Sequence, residues 1–296
     1  MAHDDPALAP VSKLDAETLV AAVNHHAGVK LTLLGSAPGG QVGAAYVRWE
    51  DGHDGVLTRG PNPSEQSLRH LQLTAEVLQL ARAKGIPVPA YDLIARLPDA
   101  LAIVQERLAG SIPRHVDRNL LEAMVAFNER FASLLTDRPD VPSPDMYLRR
   151  SGPGFCVHES LVRYDARTRR LLGWVRDVGH NTSRTMAGDD LVHLDFHPGN
   201  VLVDDAGEIT GVIDWDGIGR GDRGFALVTL RFDLASRAGD PATAGWLDDI
   251  LDDLLDPDIL RTYWAHMSLR MVDWSIRHYG PADVTHWLDF AATRIR

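Results

Sequence analysis

The sequence from Val192 to Asp216 reads VHLDFHPGNVLVDDAGEITGVIDWD. It places two histidines, one asparagine and five aspartates around two short apolar segments. NVLVDD and EITGVIDW are typical of β-strands, and Ala206-Gly207 between them is typical of a turn. The stretch therefore predicts a β-hairpin that follows a polar loop. Such a hairpin fits a metal-dependent phosphotransfer site, a metal hydrolase site, or an ordinary hairpin with a polar turn.

The hairpin brings oxygen-bearing side chains to one of its ends. Asn200 begins the first strand and Asp214 ends the second, so the amide oxygen and the carboxylate are expected side by side. Hard oxygen donors of this kind suit Mg²⁺. Asp195 lies five residues before Asn200, in a position to face a substrate hydroxyl near the same metal. Phosphoryl transfer requires metal ions on the nucleotide phosphates and a carboxylate that orients the attacking hydroxyl.

Two other interpretations of these residues stay open. His193, Asp195 and His197 alternate, so an extended strand would place all three on one side as ligands of a metal hydrolase. That interpretation leaves Asn200 and Asp214 unexplained. Polar residues that only cap turns would account for each position singly. The joint spacing and the flanking strands favour a functional site.

The composition is that of a folded protein with an acidic surface. The 296 residues are 45% hydrophobic and 24% charged, enough for two modest domains or one large one. No apolar run is long enough to predict a membrane span, and MAHDDPALAP lacks the pattern of a signal peptide. The net charge of −11 argues against a nucleic-acid partner. An acidic surface attracts cationic ligands at long range, although a need for solubility alone also explains the negative net charge.

The chain contains a single cysteine, Cys156, which excludes an internal disulfide and predicts a cytoplasmic location. A lone cysteine is typical of a small core residue, with a catalytic thiol as the alternative.

Outward from the hairpin, the chain divides into a strand-rich first part and a helical second part. In the first part, LDAETLVAAVNHHAG and PSEQSLRHLQLTAEVLQLARAKG predict helices from their apolar spacing and their end signals. Alternating segments predict strands at VKLTLL, AAYVRW, GVLTR, IPVPAYDLIARL and ALAIVQERL. In the second part, helices are predicted over 117–135, 158–178, 242–255 and 258–279.

HLDFHPGN followed by VIDWD resembles the phosphotransfer and metal motifs of the aminoglycoside phosphotransferase family, relatives of protein kinases. The shared pattern is His-x-Asp, four residues, Asn, and a later metal-binding Asp. The resemblance implies an α+β, bilobal protein-kinase-like fold. Its parts would be an N-terminal nucleotide-binding lobe over 1–105, a hinge over 106–110, and a helical C-terminal lobe over 111–296. The C-terminal lobe would contain the catalytic hairpin 192–216 and the acceptor site.

The resemblance also assigns roles to the residues of the motif. Asp195 is the expected catalytic base, and Asn200 and Asp214 are the expected ligands of Mg²⁺. His193 is expected to brace the loop, and His197 to shape it. The resemblance thus implies an ATP- or GTP-dependent phosphotransferase.

The same resemblance places a nucleotide loop in the first part of the chain. LGSAPGGQVGAAYVRW lies between two strands, where the backbone N–H groups of Ser36, Gly39 and Gly40 would approach phosphate. In IVQERLAG, which resembles the hinge, the carbonyl of Glu106 and the N–H of Leu108 would meet adenine.

Arg59, in the next strand, stands where such kinases have a lysine that pairs with phosphate, and arginine can bind two phosphate oxygens at once.

Three positions depart from the family pattern. Leu194 stands where the family has glycine, and Ala226 stands where GDPxxDL has aspartate. Thr74 lies near the position of the glutamate that pairs with the lysine, with Glu76 and Glu65 as the nearest replacements. These departures leave the triplet of base and metal ligands intact.

The acceptor is expected to bind the helical lobe. Candidate acceptor-site residues are Asp216, Asp273, Trp274 and His278. Net acidity and the resemblance together favour a small, hydroxylated, cationic acceptor, either an aminoglycoside or a tuberactinomycin such as viomycin or capreomycin. A macrolide, or a metabolite such as choline, homoserine or a sugar, is the alternative. A kinase-fold protein that only binds its ligand is a further one, and both a monomer and a homodimer stay open.

Overall fold

The structure is a computed structural model, which describes residues 13–37, 43–215, 217–236 and 240–295. The chain divides into two compact units. We call Val11–His115 with Pro198–Asp216 the strand-rich unit, and Val116–His197 with Gly217–Arg296 the helical unit. The lobe boundaries expected above stay a prediction, and the segment Pro198–Asp216 lies with the strand-rich residues.

In chain order the helices of the described residues are α1 (Ala16–Ala27), α2 (Glu65–Ala83), α3 (Arg118–Glu129), α4 (His158–Tyr164), α5 (Ala166–Asn181), α6 (Gly224–Ser236), α7 (Pro241–Leu254), α8 (Pro257–His278) and α9 (Pro281–Ala292). The strands are β1 (Thr32–Ala37), β2 (Ala44–Arg48), β3 (Asp54–Arg59), β4 (Tyr91–Arg96), β5 (Leu101–Glu106), β6 (Asp190–His193), β7 (Val201–Val203), β8 (Ile209–Val212) and β9 (Ile218–Gly221).

The strand-rich unit is built on an antiparallel sheet in the order β1-β2-β3-β5-β4. Alternate residues of β2 and β3 point into a core, among them Ala45, Val47 and Leu57, because successive side chains of a strand lie on opposite faces. One face of α1 packs on this core through Leu19 and Val23. A strand is present in each of the five predicted segments, but β1 begins at Thr32 rather than Val29, and β4 begins at Tyr91 rather than Ile86.

Both helices of this unit begin at capping residues. The side chain of Asp15 accepts a hydrogen bond from the N–H of Thr18, and that of Ser64 accepts one from the N–H of Ser67. α1 ends at Gly28, whose φ of 66° lies in the left-handed region that glycine adopts without strain. The two helices predicted in this part of the chain are confirmed.

The hairpin predicted from the opening stretch is present as β7 and β8. Its register pairs Val201 with Val212, and the Asp204 carboxylate closes the turn by accepting the N–H groups of Ala206 and Glu208. The turn thus lies at the predicted Ala206-Gly207.

The helical unit packs around α8, which contacts α4, α5, α6, α7 and α9. The short strands β6 and β9 pair antiparallel in the same unit. The aromatic rings of Phe232, Trp264, Trp287 and Phe290 form one cluster between α6, α8 and α9. No helix of the described residues combines the length and apolar character needed to cross a membrane.

Two helix predictions in this unit need correction. The helix expected over 117–135 ends at Glu129 and continues as turns. The helix expected over 158–178 is two helices, because Asp165 leaves the helical conformation and caps α5. The Asp165 side chain accepts the Thr168 N–H, and the Thr168 hydroxyl accepts the Asp165 N–H. The predicted helices at 242–255 and 258–279 are confirmed as α7 and α8.

Cys156 is a buried residue of the helical unit. Burial raises the pKa of its thiol well above the ordinary value. A buried, protonated thiol is not a nucleophile, so the structure places Cys156 in the core.

One buried histidine makes the stability of the helical unit depend on pH. His266 is 5% exposed, and its Nδ1 is 2.8 Å from the carbonyl oxygen of Met146, a geometry in which Nδ1–H donates. Burial lowers the pKa of His266 to about 4, from an ordinary value of 6.5. Between those values the unfolded chain is protonated at this histidine while the folded protein is not, so stability falls as the pH falls.

We expect this histidine to lower the free energy of unfolding by up to about 1 kcal/mol per pH unit as the pH falls from about 6.5 to 5. His266→Asn keeps a hydrogen-bond donor and removes the titration, so its stability should vary less with pH over that window. Denaturant unfolding at several pH values measures the difference. His286→Asn, at an exposed position on α9, is the matched control. Equal pH dependence in wild type and His266→Asn would contradict the expectation.

Candidate active site

The loop after β6 carries the predicted base. β6 ends at His193, and the chain turns through Leu194 and Asp195. His193 is fully buried, and its Nδ1 accepts a hydrogen bond of 3.1 Å from the N–H of Asp195. The N–H of Leu194 donates to the carbonyl oxygen of Gly217 at 3.1 Å. The bracing role expected of His193 stays a prediction.

The extended strand required by the metal hydrolase interpretation is not formed. His193 is the last residue of β6, and the turn after it breaks the alternation that would align His193, Asp195 and His197. Among the described residues, no group of three or more histidine, cysteine, aspartate or glutamate side chains is arranged to hold a metal ion. That interpretation fails because it needed a regular strand through a loop.

Asp195 is partly exposed and lies between two nitrogen-bearing side chains. Its side chain is 45% exposed; Oδ1 accepts from Nη2 of Arg270 at 2.8 Å, and Oδ2 is 3.5 Å from Nε2 of His197. Burial alone would raise the pKa of Asp195. The hydrogen bond with His197 and the charge of Arg270 outweigh burial and hold that pKa well below its ordinary value. The carboxylate is therefore ionised at neutral pH and able to accept a hydrogen bond from a hydroxyl.

Arg270 was not among the residues predicted from the sequence. Its position on α8 follows Met267 by three residues and precedes Met271, beside an apolar stripe. An arginine on the inner side of a helix usually has a carboxylate partner. Its place beside the apolar stripe was therefore the one sign in the sequence that Arg270 pairs with an acidic residue. The identity of that partner, Asp195, depends on packing between segments far apart in the chain.

Asn200 and Asp214 lie at the same end of the hairpin, as predicted. Asn200 ends a short 3₁₀ turn, Pro198–Asn200, and its carbonyl accepts the N–H of Ile213 at 2.9 Å. Asp214 follows directly, exposed, with a φ of 66°. A non-glycine residue in the left-handed region is uncommon, and aspartate tolerates it better than most. An amide and a carboxylate at one hairpin end are oxygen donors that fit Mg²⁺.

The hairpin is tied to the segment expected to be the hinge. Ser111 and Val203 exchange two backbone hydrogen bonds of 2.9 Å, and the Thr210 hydroxyl donates to the carbonyl of Ala109 at 2.7 Å. Gly110 has a φ of 102°, and a Cβ there would lie 2.3 Å from the Thr210 hydroxyl oxygen. Only glycine allows this close approach.

The two residues predicted to meet adenine, Glu106 and Leu108, lie in the strand-rich unit. The N–H of Glu106 donates to Ala90, and its carboxylate accepts from Arg82. The N–H of Leu108 meets no hydrogen-bond acceptor within the part of the chain that the structure describes. A hydrogen bond from Leu108 to a nucleotide base stays a prediction.

The predicted phosphate cation has a surface partner. Arg59 is 43% exposed and donates to Asp99 at 2.7 Å. Of the residues considered as its glutamate partner, Glu65 pairs with Arg96 instead. Thr74 is buried, and its hydroxyl donates to the carbonyl of His70 on the preceding helical turn. An exposed ion pair is weak, so Arg59 is able to exchange Asp99 for phosphate, and that role stays a prediction.

The predicted nucleotide loop is described only in part. Ser36 lies exposed in β1. Gly39, Gly40 and the acceptor candidate Asp216 lie outside the described residues.

The remaining acceptor candidates lie together at the end of α8. Asp273 is fully buried and accepts hydrogen bonds from the Ser160 hydroxyl at 2.7 Å and from Arg277 at 2.8 and 2.9 Å. Trp274 and His278 lie against each other, with ring centroids 4.0 Å apart. Asp273 thus joins α4 to α8, and an acceptor contact of these residues stays a prediction.

Comparison with known proteins adds a family to this geometry. The model of the phosphotransferase enzyme family, APH, matches residues 36–266. No curated protein shows significant sequence similarity to the chain. The apo form of a thermostable mutant of aminoglycoside phosphotransferase APH(4)-Ia has a TM-score of 0.69 at 17% identity, over 94% of this chain and 98% of that one.

Two further solved structures are similar. A thermostable APH(4)-Ia mutant in ternary complex with ADP and hygromycin B has a TM-score of 0.67 at 16% identity, over 95% of this chain and 98% of that one. Macrolide 2'-phosphotransferase MphH from Brachybacterium faecium has a TM-score of 0.51 at 18% identity, with the same coverages of 95% and 98%. These structures confirm the kinase-like α+β fold expected from the sequence. The family model spans most of the chain, and the protein therefore belongs to the phosphotransferase enzyme family.

Proposed function

We propose that this protein transfers the γ-phosphate of ATP or GTP to a hydroxyl of a small cationic molecule. The observation that carries the proposal is the Asp195 carboxylate, partly exposed and held ionised on the loop after β6. It lies in a chain whose match to the phosphotransferase family spans residues 36–266. Asp195 is the proposed base, supported by His193 and His197.

The role of Asp195 follows from its charge. An ionised carboxylate accepts a hydrogen bond from the acceptor hydroxyl and orients the hydroxyl oxygen toward the γ-phosphorus. As the new O–P bond forms and the bond to the nucleotide diphosphate breaks, the hydroxyl proton passes to Asp195. A loose phosphoryl-transfer transition state needs little activation of the attacking hydroxyl, so the proton moves late.

Asn200 and Asp214 are the proposed ligands of Mg²⁺. Both are oxygen donors at one end of the hairpin, and Ile213, the residue between β8 and Asp214, is hydrogen-bonded to Asn200. A bound Mg²⁺ would neutralise negative charge that develops on the phosphates during transfer. In the chain itself, Asn200 and Asp214 set where the nucleotide phosphates bind.

The acceptor proposed is a cationic antibiotic, an aminoglycoside or a tuberactinomycin such as viomycin or capreomycin. The net charge of −11 attracts cations at long range, and an APH(4)-Ia mutant of similar fold has been solved with hygromycin B. A macrolide is the second candidate, since a macrolide 2'-phosphotransferase shares the fold. Small metabolites such as choline, homoserine or a sugar are the third.

We expect one class of hydroxylated cation to accelerate nucleotide consumption when Mg²⁺ is present. A coupled assay of ADP and GDP release, run against cationic antibiotics, macrolides and small metabolites, measures this. Mass spectrometry of the acceptor should show one added phosphate group. If only a macrolide or a small metabolite accelerated nucleotide consumption, that compound class would replace the cationic antibiotics as the proposed acceptor. Nucleotide binding without a phosphorylated product across the panel would favour a non-catalytic binding protein.

A further inference from the structure

Arg270 on α8 binds the loop that carries the proposed base. Its Nη1 donates to the carbonyl oxygen of Leu194 at 2.8 Å, and its Nη2 donates to Oδ1 of Asp195 at 2.8 Å. The acceptors belong to consecutive residues, so one planar guanidinium fixes a carbonyl and a carboxylate together. The Arg270 side chain is 27% exposed, and partial shielding makes a charged pair stronger than an open surface pair.

The other contacts of the loop restrain its backbone. The N–H of Asp195 donates to His193, and the N–H of Leu194 donates to Gly217. These two bonds fix the path of the backbone, but they do not restrain the rotation of the Asp195 side chain about its χ angles. The carboxylate itself has two contacts: His197 Nε2 lies 3.5 Å from Oδ2, and Arg270 donates to Oδ1 at the shorter distance of 2.8 Å. Arg270 makes its contact from α8, a helix whose neighbouring residues are almost all buried.

We propose that Arg270 is a positioning residue for phosphoryl transfer, which sets the orientation of the Asp195 carboxylate toward the acceptor hydroxyl. This inference rests on the proposed function. Both residues lie within the helical unit, so the fold of that unit determines the geometry of the pair. A small error in the direction of a hydroxyl attack is costly, because transfer depends on alignment of the reacting atoms.

The charge of Arg270 has a second effect. The charged and titratable groups that face Asp195 are Arg270 from α8, His197 from the loop and His193 from β6. Arg270 is the permanently charged member of this set. Its removal should raise the pKa of Asp195, so activity should be lost at a higher pH on the acid side.

Hydrogen exchange measured by mass spectrometry tests the positioning without any substrate. In the full-length protein, Arg270→Gln should increase exchange in peptides that cover residues 190–198, while exchange elsewhere stays that of wild type. Arg261→Gln, an exposed arginine on the same helix, is the matched control. Unchanged exchange in the loop of Arg270→Gln would overturn the inference, whether or not the protein is a kinase.

Kinetics with the acceptor found by the release assay complete the test. Arg270→Gln should lower kcat by about 100-fold, with the KM for nucleotide unchanged and the acid limb of the pH profile moved to higher pH. Arg270→Lys keeps the positive charge but cannot make both hydrogen bonds of the planar guanidinium. The acid limb of its pH profile should therefore lie at the wild-type pH, while only part of the wild-type kcat is recovered. Wild-type kcat in both variants would overturn the inference.

If Arg270→Gln does not fold, the Lys variant decides the question. Wild-type kcat in Arg270→Lys would then overturn the inference, because the two hydrogen bonds of the guanidinium would not be needed. Absence of transfer by the wild-type protein itself would refute the proposed function, while the exchange measurement still reports on the contact.

Discussion

Asp195→Asn should abolish phosphoryl transfer while leaving nucleotide binding intact. Asparagine has the shape of aspartate, but it carries no charge and cannot take the hydroxyl proton. Loss of the carboxylate that orients the hydroxyl and finally takes its proton should lower turnover by about 100-fold or more. Steady-state turnover with the identified acceptor, together with calorimetric titration of the nucleotide, measures the two effects separately.

The matched control for Asp195→Asn is Asp177→Asn, an exposed aspartate on α5 in the same unit. This variant should have wild-type turnover, because the residue lies outside the loop. Asp195→Asn also leaves Arg270 without its carboxylate partner, at a partly exposed position where the cost to stability is modest. Wild-type turnover in Asp195→Asn would refute the assignment of the base.

Local patterns in the sequence predicted the elements on which the site is built. The hairpin follows from its alternating apolar residues and its turn, and Asn200 and Asp214 flank one end because of their spacing. Ser64 likewise marked the start of α2, and Gly28 marked the end of α1. Such features depend on residues close together in the chain, so the sequence alone contains them.

Features that depend on distant packing were missed. Arg270 reaches Asp195 across 75 residues of sequence, and no local pattern identifies that pair. The helix α6 was not predicted because its first seven residues are all buried, which removes the polar face that marks an amphipathic helix. The break at Asp165 did have a local signal, the reciprocal cap with Thr168, which the continuous apolar spacing concealed.

The low pKa of Asp195 has a consequence for mechanism. A carboxylate stabilised by the hydrogen bond with His197 and the charge of Arg270 is a weak base, and a weak base contributes little to an early proton transfer. Phosphoryl transfer through a loose transition state needs little activation of the nucleophile, so orientation and charge neutralisation supply most of the rate. The pairing of Asp195 with Arg270 thus fits a phosphotransferase better than it fits a hydrolase that must deprotonate water early.

Asp214→Asn should remove the Mg²⁺ dependence of nucleotide binding and most of the activity. Asparagine tolerates the left-handed backbone of this position, so the hairpin end keeps its conformation while the proposed metal ligand loses its charge. Metal stabilisation of transition-state charge is worth several kcal/mol, so turnover should fall by about 100-fold or more. Calorimetric titration of nucleotide with and without Mg²⁺ checks the binding effect independently of catalysis.

Asp205→Asn, exposed in the turn at the opposite end of the same hairpin, is the matched control and should behave as wild type. If Mg²⁺ strengthens nucleotide binding equally in wild type and Asp214→Asn, the metal lies elsewhere, because a ligand at the hairpin end cannot lose its charge without weakening a divalent cation bound there.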